Sequence, residues 1–569
     1  MNKRIIFVMA AILLSVSVFA QHNEEVTVEG TYRPKVNKVD KIRLTPEKPQ
    51  PTFEMPSSDV QPKITDRKFD IELERLKATP YSDKNESLVK PTENFLMAGL
   101  GTRISPLFLY RHDSQLTKDV NLGVGINHFS SWLNMKDHPN SGFMNNLFDV
   151  RVGAKLSNYQ LNGKVFFKND LYHYYGCRLS DSSNMIPDDR IDEFCPKQVY
   201  NTLGLNAVLN STDTHLQALQ HAVGLDYHYT YSKLDSREHF VGLNGKLAYA
   251  DSWWGDRNYP QQVGLDLGFQ YDYFSTPMVD VLAQDYDRML LKVNPYFEMK
   301  DDFYKLHVGL RFDYTSSDSV KVSFRPDVQG SLYVFDKKLE FYAGLGGGKQ
   351  LLTFSEIIEE NPFVGTNLPL LYRNVKFSFE AGVRTTVAEK VDLHAGMRYR
   401  NVANDYFYVM DVNAPASIYN VFNQYTLLYD NTETVSVTAD ARCKIVDNLD
   451  AELNLTYNHC TPENENFAWY RPAFESTLKA SYAFDEALTF NAALRFEAGR
   501  YAKVQKGYSI YDEVKLKNIF DLSLGADYKL SDQLYVFAKI DNIANCRYQM
   551  FYDYPVTGIQ LFAGVKMKF

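Results

Sequence analysis

The chain has 569 residues, 45% of them hydrophobic and 23% charged, with a formal net charge of −9. That length admits several ordinary domains or one very large one, and no basic segment is concentrated enough to point to nucleic acid. The 39 tyrosines and 37 phenylalanines exceed what a soluble helical enzyme carries, and both residues favour strands.

The first twenty residues, MNKRIIFVMAAILLSVSVFA, predict a secretory signal peptide. Lys3 and Arg4 form its charged start and Ile5 to Leu14 opens its apolar core. Val18 and Ala20 are the small residues before a cleavage site at Gln21. Beyond it no uncharged apolar run reaches 18 residues, so helical membrane spans are not expected. A membrane barrel is untouched by that test, because its strands hide their apolar residues at every second position.

Residues 21–93 hold many of the prolines, including Pro34, Pro46, Pro49, Pro51 and Pro56, and are rich in lysine and glutamate. They read as an extended periplasmic segment rather than a packed domain, with a short helical turn expected at Ile71 to Leu76.

From Asn94 to Phe569 the pattern changes to strict alternation. In LHVGLRFDY, Leu306, Val308, Leu310, Phe312 and Tyr314 alternate with His307, Gly309, Arg311 and Asp313. LDAELNLTYN and LSLGADYKL repeat the pattern, which is that of a strand with one apolar face. Short polar turns such as those at Leu156, Lys300, Asp336 and Leu530 alternate with long loops at 170–197, 351–372, 460–471 and 499–512. Most segments reach the nine to eleven or so residues that cross a bilayer when tilted, longer than ordinary sandwich strands. The expected fold is all-β, an antiparallel transmembrane β-barrel of about 22 strands, with 20 to 24 admitted. The chain is expected to turn at Pro106, because proline is disfavoured inside a strand. Residues 403–418 leave the segmentation open.

Closure requires the last strand to pair with the first. GIQLFAGVKMKF, from Gly558, is the natural partner of FLMAGLGTRI, from Phe95. Leu561, Ala563, Val565, Met567 and Phe569 then face lipid with Ile559, while Gln560, Phe562, Gly564, Lys566 and Lys568 face the lumen.

The end of the chain, DNIANCRYQMFYDYPVTGIQLFAGVKMKF, resembles that of TonB-dependent receptors. Asn542, Asn545 and Tyr548 match one family stretch, Tyr554, Pro555 and Gly558 match a turn, and Phe569 matches the terminal aromatic. FLMAGLGTRISPLFLYRHDS, VGINHFSS and HYYG are similar to a branch of receptor-like barrels that has a proline-rich leader and no recognisable plug. The resemblance implies a Gram-negative outer membrane, contact with its lipid, and recognition of Phe569 by the barrel-assembly machinery. EEVTVEG, comprising Glu24, Glu25, Val26, Thr27, Val28, Glu29 and Gly30, looks like a TonB box. The same residues also read as an ordinary exposed strand. TonB or another periplasmic protein is the partner implied, and an outer-membrane lipoprotein is a further one. Residues 21–93 lack a plug's pattern, which sets energised uptake against a second reading.

Other signals are weaker. GLGGGK at Gly344 to Lys349 invites a phosphate-loop reading but lacks the following Ser or Thr, and reads as strand. PDDRIDE at Pro187 reads as a solvated loop, and Trp253 and Trp254 as an interface anchor. Cys177 and Cys195 fall in one long loop and form a candidate disulfide; no cysteine or histidine spacing suggests a metal. His112, His128 and His173 have no nucleophile motif beside them, so neither an enzyme nor a cofactor is expected. Two functions compete: solute or nutrient passage through the barrel, and a non-transporting barrel subunit of an outer-membrane complex.

Overall fold

The structure, a computed structural model, describes residues 94–569 apart from 136–137, 139, 177–191, 193–194, 214–216, 255–258, 277–284, 388–389, 415–421, 447 and 508–509. The signal sequence, the TonB-box-like stretch 24–30, the turn at 71–76 and Cys177 therefore lie outside the described residues, as does PDDRIDE apart from Asp192.

Alternation becomes architecture directly. Twenty-two strands form one antiparallel sheet, each paired with its neighbour in the ring. The ring closes where Asn94–Gly101 meets Gln560–Lys568, in a register running from Phe95 opposite Lys568 to Gly101 opposite Phe562. The seam ends on a reciprocal backbone pair: the Asn94 N–H donates to the Phe569 carbonyl at 2.9 Å, and the Phe569 N–H donates back at 3.1 Å. Closure leaves no edge, so the ladders run all the way round the ring in a solvent that offers no other partner.

The outward face is apolar. In the strand Phe143–Leu156, Phe148, Val150 and Val152 are exposed while the intervening Asp149 is buried. Leu561, Val565, Met567 and Phe569 are likewise exposed, and Phe562 between them is buried. Inside, charge answers charge. Asp149 takes Arg111 at 2.9 Å and Arg151 at 3.1 Å, and a row runs from Tyr342 through His394 to Asp440, both contacts at 2.7 Å. These contacts satisfy lumenal polar groups, among them the buried Asp149 carboxylate.

The two ends differ. Asn94 and Phe569 lie at the end of short turns such as Lys118-Asp119 and Ser157-Asn158. At the other end most connections are long, the turns at 102–104 and 233–236 being exceptions, and the wall is tallest where Val391–Met410 and Tyr425–Val446 run 20 and 22 residues. Trp253 and Trp254 lie at the short-turn end, where Trp254 stacks on Phe297 at 5.6 Å, a position suited to an interfacial belt.

The chain does not turn at Pro106. The turn falls at Thr102–Ile104, with Arg103 and Ile104 at φ 77° and 50°, and Pro106 is second in the strand Ser105–Thr117, opposite Leu100. Pairing on the other side begins only at Leu107, so the missing N–H of Pro106 removes no bond there. The ambiguous run 403–418 divides at Met410, where the strand ends.

At the seam Gly99 faces Gly564 with the Phe537 ring laid over both; a Cβ on Gly564 would collide with the Ala98 carbonyl. Gly564→Val should therefore reduce the folded fraction, measured by heat-modifiable gel mobility, while export continues. Deleting Phe569 or changing it to Asp should lower the amount of assembled barrel in membrane fractions. Unchanged folded levels in either variant would refute the role given to the seam.

Candidate functional site: an aromatic cap over the long-loop mouth

One apolar cluster unites parts of the ring that stand far apart. It takes Tyr174 and Tyr200 from one side, Phe274 from another, and Phe407 and Tyr425 from the tall wall. Phe551 and Tyr554 join it from the connection before the last strand. A single packed cluster drawing on all these sectors spans the mouth. At its centre is the connection 352–371, with Phe354, Ile357, Val364, Leu368 and Leu370 almost fully buried.

Aromatic rings make the contact. Phe363 stacks on Tyr554 with centroids 3.8 Å apart, Tyr175 meets Tyr554 edge-on at 4.8 Å, and Phe551 packs on both Tyr425 and Tyr470 at 5.3 Å. Each such pair contributes about 0.5–1.5 kcal/mol beyond its buried area. The tyrosine hydroxyls then satisfy loop carbonyls that would otherwise be stranded away from water. Tyr174 donates to Val364 at 2.7 Å, Tyr200 to Pro362 at 3.0 Å, Tyr425 to Tyr552 at 2.8 Å, and Tyr554 to Asn423. Burial pushes the pKa of Tyr174 up to about 12, which keeps it a donor at any physiological pH. A backbone bridge pairs Val364 with Tyr425: the Gly365 N–H donates to the Tyr425 carbonyl at 2.8 Å, and the Tyr425 N–H to Phe363 at 3.0 Å.

Two charged anchors tie the cap to the wall. The helix Phe354–Glu360 opens with a capping box in which Thr353 and Glu356 bond each other's backbone. Its first free N–H groups, those of Phe354 and Ser355, are accepted by the buried Glu238 carboxylate, which satisfies donors every helix start leaves open. His228 lies 3.3 Å from that carboxylate and 2.8 Å from the Ser355 hydroxyl. On the tall wall, Arg471 grips the buried Asp405 with two bonds of 2.7 and 2.9 Å, and Arg373 adds a third at 2.8 Å. Burial works against the Arg471 charge, yet the Asp405 hydrogen bonds and carboxylate hold its pKa above that of a free guanidinium.

No family model matches the chain, and no curated protein matches it. Solved structures do. The barrel superimposes on the ferripyoverdine receptor of the outer membrane of Pseudomonas aeruginosa with a TM-score of 0.62 and 12% identity, over 84% of this chain and 72% of that one. It matches the ferric-catecholate import receptor Fiu of E. coli K12 at 0.62 and 8% identity, over 84% and 82%. The siderophore receptor PirA of Acinetobacter baumannii matches at 0.62 and 12% identity, over 84% and 80%. The fold is that of a TonB-dependent receptor barrel. At these identities the likeness is one of fold.

In this barrel the predicted residues separate. The terminal strand lies at the seam, and none of Leu561, Ala563, Val565, Met567 and Phe569 belongs to the cap cluster. The histidines do not converge: His112 meets Asn94 at 2.8 Å, and His173 meets the Gly142 carbonyl at 2.9 Å. His128 sits between Ser130 at 3.1 Å and Asn146 at 2.7 Å, but Ser130 has no exposed surface and presents no hydroxyl to a substrate. Cys195 is buried, and its pairing with Cys177 stays a proposal. Cys443, Cys460 and Cys546 are free.

The cap residues and the helix went unpredicted. Sequence shows the long loops and their tyrosines, but contacts such as Tyr174 to Val364, 190 residues apart, follow no spacing. Asp405→Ala should destabilise the cap by about 3–5 kcal/mol, the range for stranding a buried charge, and Tyr554→Phe by about 1 kcal/mol. Protease nicking within 352–371 and 463–473 reads both. Equal resistance in Asp405→Ala and the parent would contradict the anchor.

Proposed function

We propose that this chain is an outer-membrane receptor barrel through which a solute or nutrient passes, with the aromatic cap as its outer gate. The observation that carries the reading is the combination of a 22-strand barrel with a charged lumen and a mouth that, among the described residues, loops alone close. Cap segments can move without breaking any ladder pair between strands, whereas the wall cannot. The fold neighbours support the reading: the proteins they come from are named as import or siderophore receptors. In this orientation the long-loop end faces outside and Asn94 and Phe569 face the periplasm, where residues 24–30 would meet TonB or another periplasmic protein.

A second reading has one observation in its favour. The cap is as densely bonded as a permanent core, which suits a sealed subunit of a larger outer-membrane assembly, held with a lipoprotein or another partner.

A disulfide lock separates the two. Val364→Cys with Tyr425→Cys joins the bridged pair across the mouth. Under the passage reading, oxidation abolishes solute entry into proteoliposomes and reduction restores it, while each single variant passes solute in both conditions. Entry unaffected by the lock, or none in any state, contradicts the gate and favours the sealed subunit.

A further inference from the structure

The anchor beneath the cap helix gathers more charge than a helix start requires. Glu238, which accepts the N–H groups of Phe354 and Ser355, shares the lumenal face of four adjacent strands with other titratable side chains. His228 comes from Leu219–Ser232, Asp272 from Gln261–Ser275 and Arg288 from Tyr286–Lys300. Glu238 and Asp272 have no exposed surface, and Arg288 has almost none. Glu238 opposes Phe274 and Asp272 opposes Phe240 in the register, which makes the two carboxylates diagonal neighbours, and the Glu238 charge repels that of Asp272. Arg288 pairs with Asp272. Even so, Asp272 Oδ1 and the Arg288 Nε and Nη1 atoms have no hydrogen-bond partner among the described residues.

These contacts leave the seat one positive charge short. Arg288 answers Asp272, and the group that meets the other buried carboxylate is His228, whose Nε2 lies 3.3 Å from Glu238 and 2.8 Å from the Ser355 hydroxyl. The other charges facing the imidazole do not make up the difference. Asp226 on its own strand and Glu356 on the cap helix are acidic. Lys292, on the strand of Arg288, is attracted to Asp313 and Glu356, and Lys168 is held by Asp170 and Glu359 at 3.3 and 3.5 Å. On the other side the strand Lys197–Ser211 sets Gly204 opposite His228, flanked by the uncharged Thr202 and Asn206. A proton on His228 therefore restores neutrality. The outward neighbours at this level include Tyr229, Tyr231 and His239, with Tyr229 stacked on His239 at 4.5 Å, a belt of the water interface rather than of hydrocarbon. Burial works against the imidazolium here, yet Glu238, with Asp226 and Asp272, holds the His228 pKa above its ordinary value.

We propose that this junction is a proton-operated latch: the seated cap holds a proton on His228 that an opened, hydrated cap releases. As regulation of the gate, the inference rests on the passage reading. A proton bound more tightly in the seated state stabilises that state fully below the free imidazole value of about 6.5, and the gain is lost as pH rises through the higher seated value. Above it, Glu238 and Asp272 share one guanidinium in a buried site, an uncompensated charge that only hydration relieves. The latch is closed in mild acid and loosened by alkali.

Hydrogen exchange of the full-length protein in detergent, read by mass spectrometry as protection factors, tests it. From about pH 6 to about pH 8.5, protection of the amides at 354–361 should fall by about tenfold in the parent while the barrel strands stay protected. His228→Gln keeps a hydrogen-bonding side chain that cannot take the proton, so its cap should show the parent's alkaline protection at both pH values. His394→Gln, which removes a lumenal histidine paired with Asp440, should keep the parent's response. A parent cap that does not respond to pH, a response that survives in His228→Gln, or one that disappears in His394→Gln overturns the latch. Planar-bilayer conductance of the same samples separates the two readings. A pH-dependent cap on a barrel that is silent at both pH values leaves the latch standing and refutes passage.

Discussion

Everything in this molecule follows from one constraint: in hydrocarbon a backbone N–H or C=O has no water to turn to. A spanning sheet must therefore close, and the closure is a single seam between the first and last strands. The seam admits two facing glycines because the Phe537 ring covers them, and it is locked by the reciprocal Asn94–Phe569 pair. The terminal phenylalanine thus completes the ladder and the outward apolar face at once.

The same constraint explains the cap. A barrel of 22 strands is too wide to be filled by its own inward side chains, and its long loops must place many backbone groups over the opening. Tyrosine meets that need, since its ring packs against other rings while its hydroxyl satisfies a loop carbonyl. The charged anchors, Glu238 on the helix start and Asp405 beneath Arg471, then fix where the cap sits on the wall. Each costs desolvation and is strongly unfavourable to break from one side only, so they specify one closed arrangement without adding much net stability.

The barrel was legible from sequence because its physics is local and periodic. Alternation in Leu306 to Tyr314 follows from lipid on one side and water on the other, and the turns at Leu156, Lys300 and Asp336 announce themselves. Pro106 was misread because its effect depends on which neighbour pairs at that level, a tertiary fact. The cap was illegible for the same reason in stronger form. Phe363, Tyr425 and Tyr554 come from three connections, and nothing in their spacing says they share one core. The glycine run was visible and correctly read as strand.

The central claim is that loops, not the wall, close this barrel. Single-channel conductance in planar bilayers tests it most directly, comparing the parent with a variant in which residues 354–370 are replaced by a short glycine-serine linker. The account predicts that the parent is largely silent and that the variant shows large, persistent, open steps. Equally silent traces from a variant with normal heat-modifiable folding would contradict it.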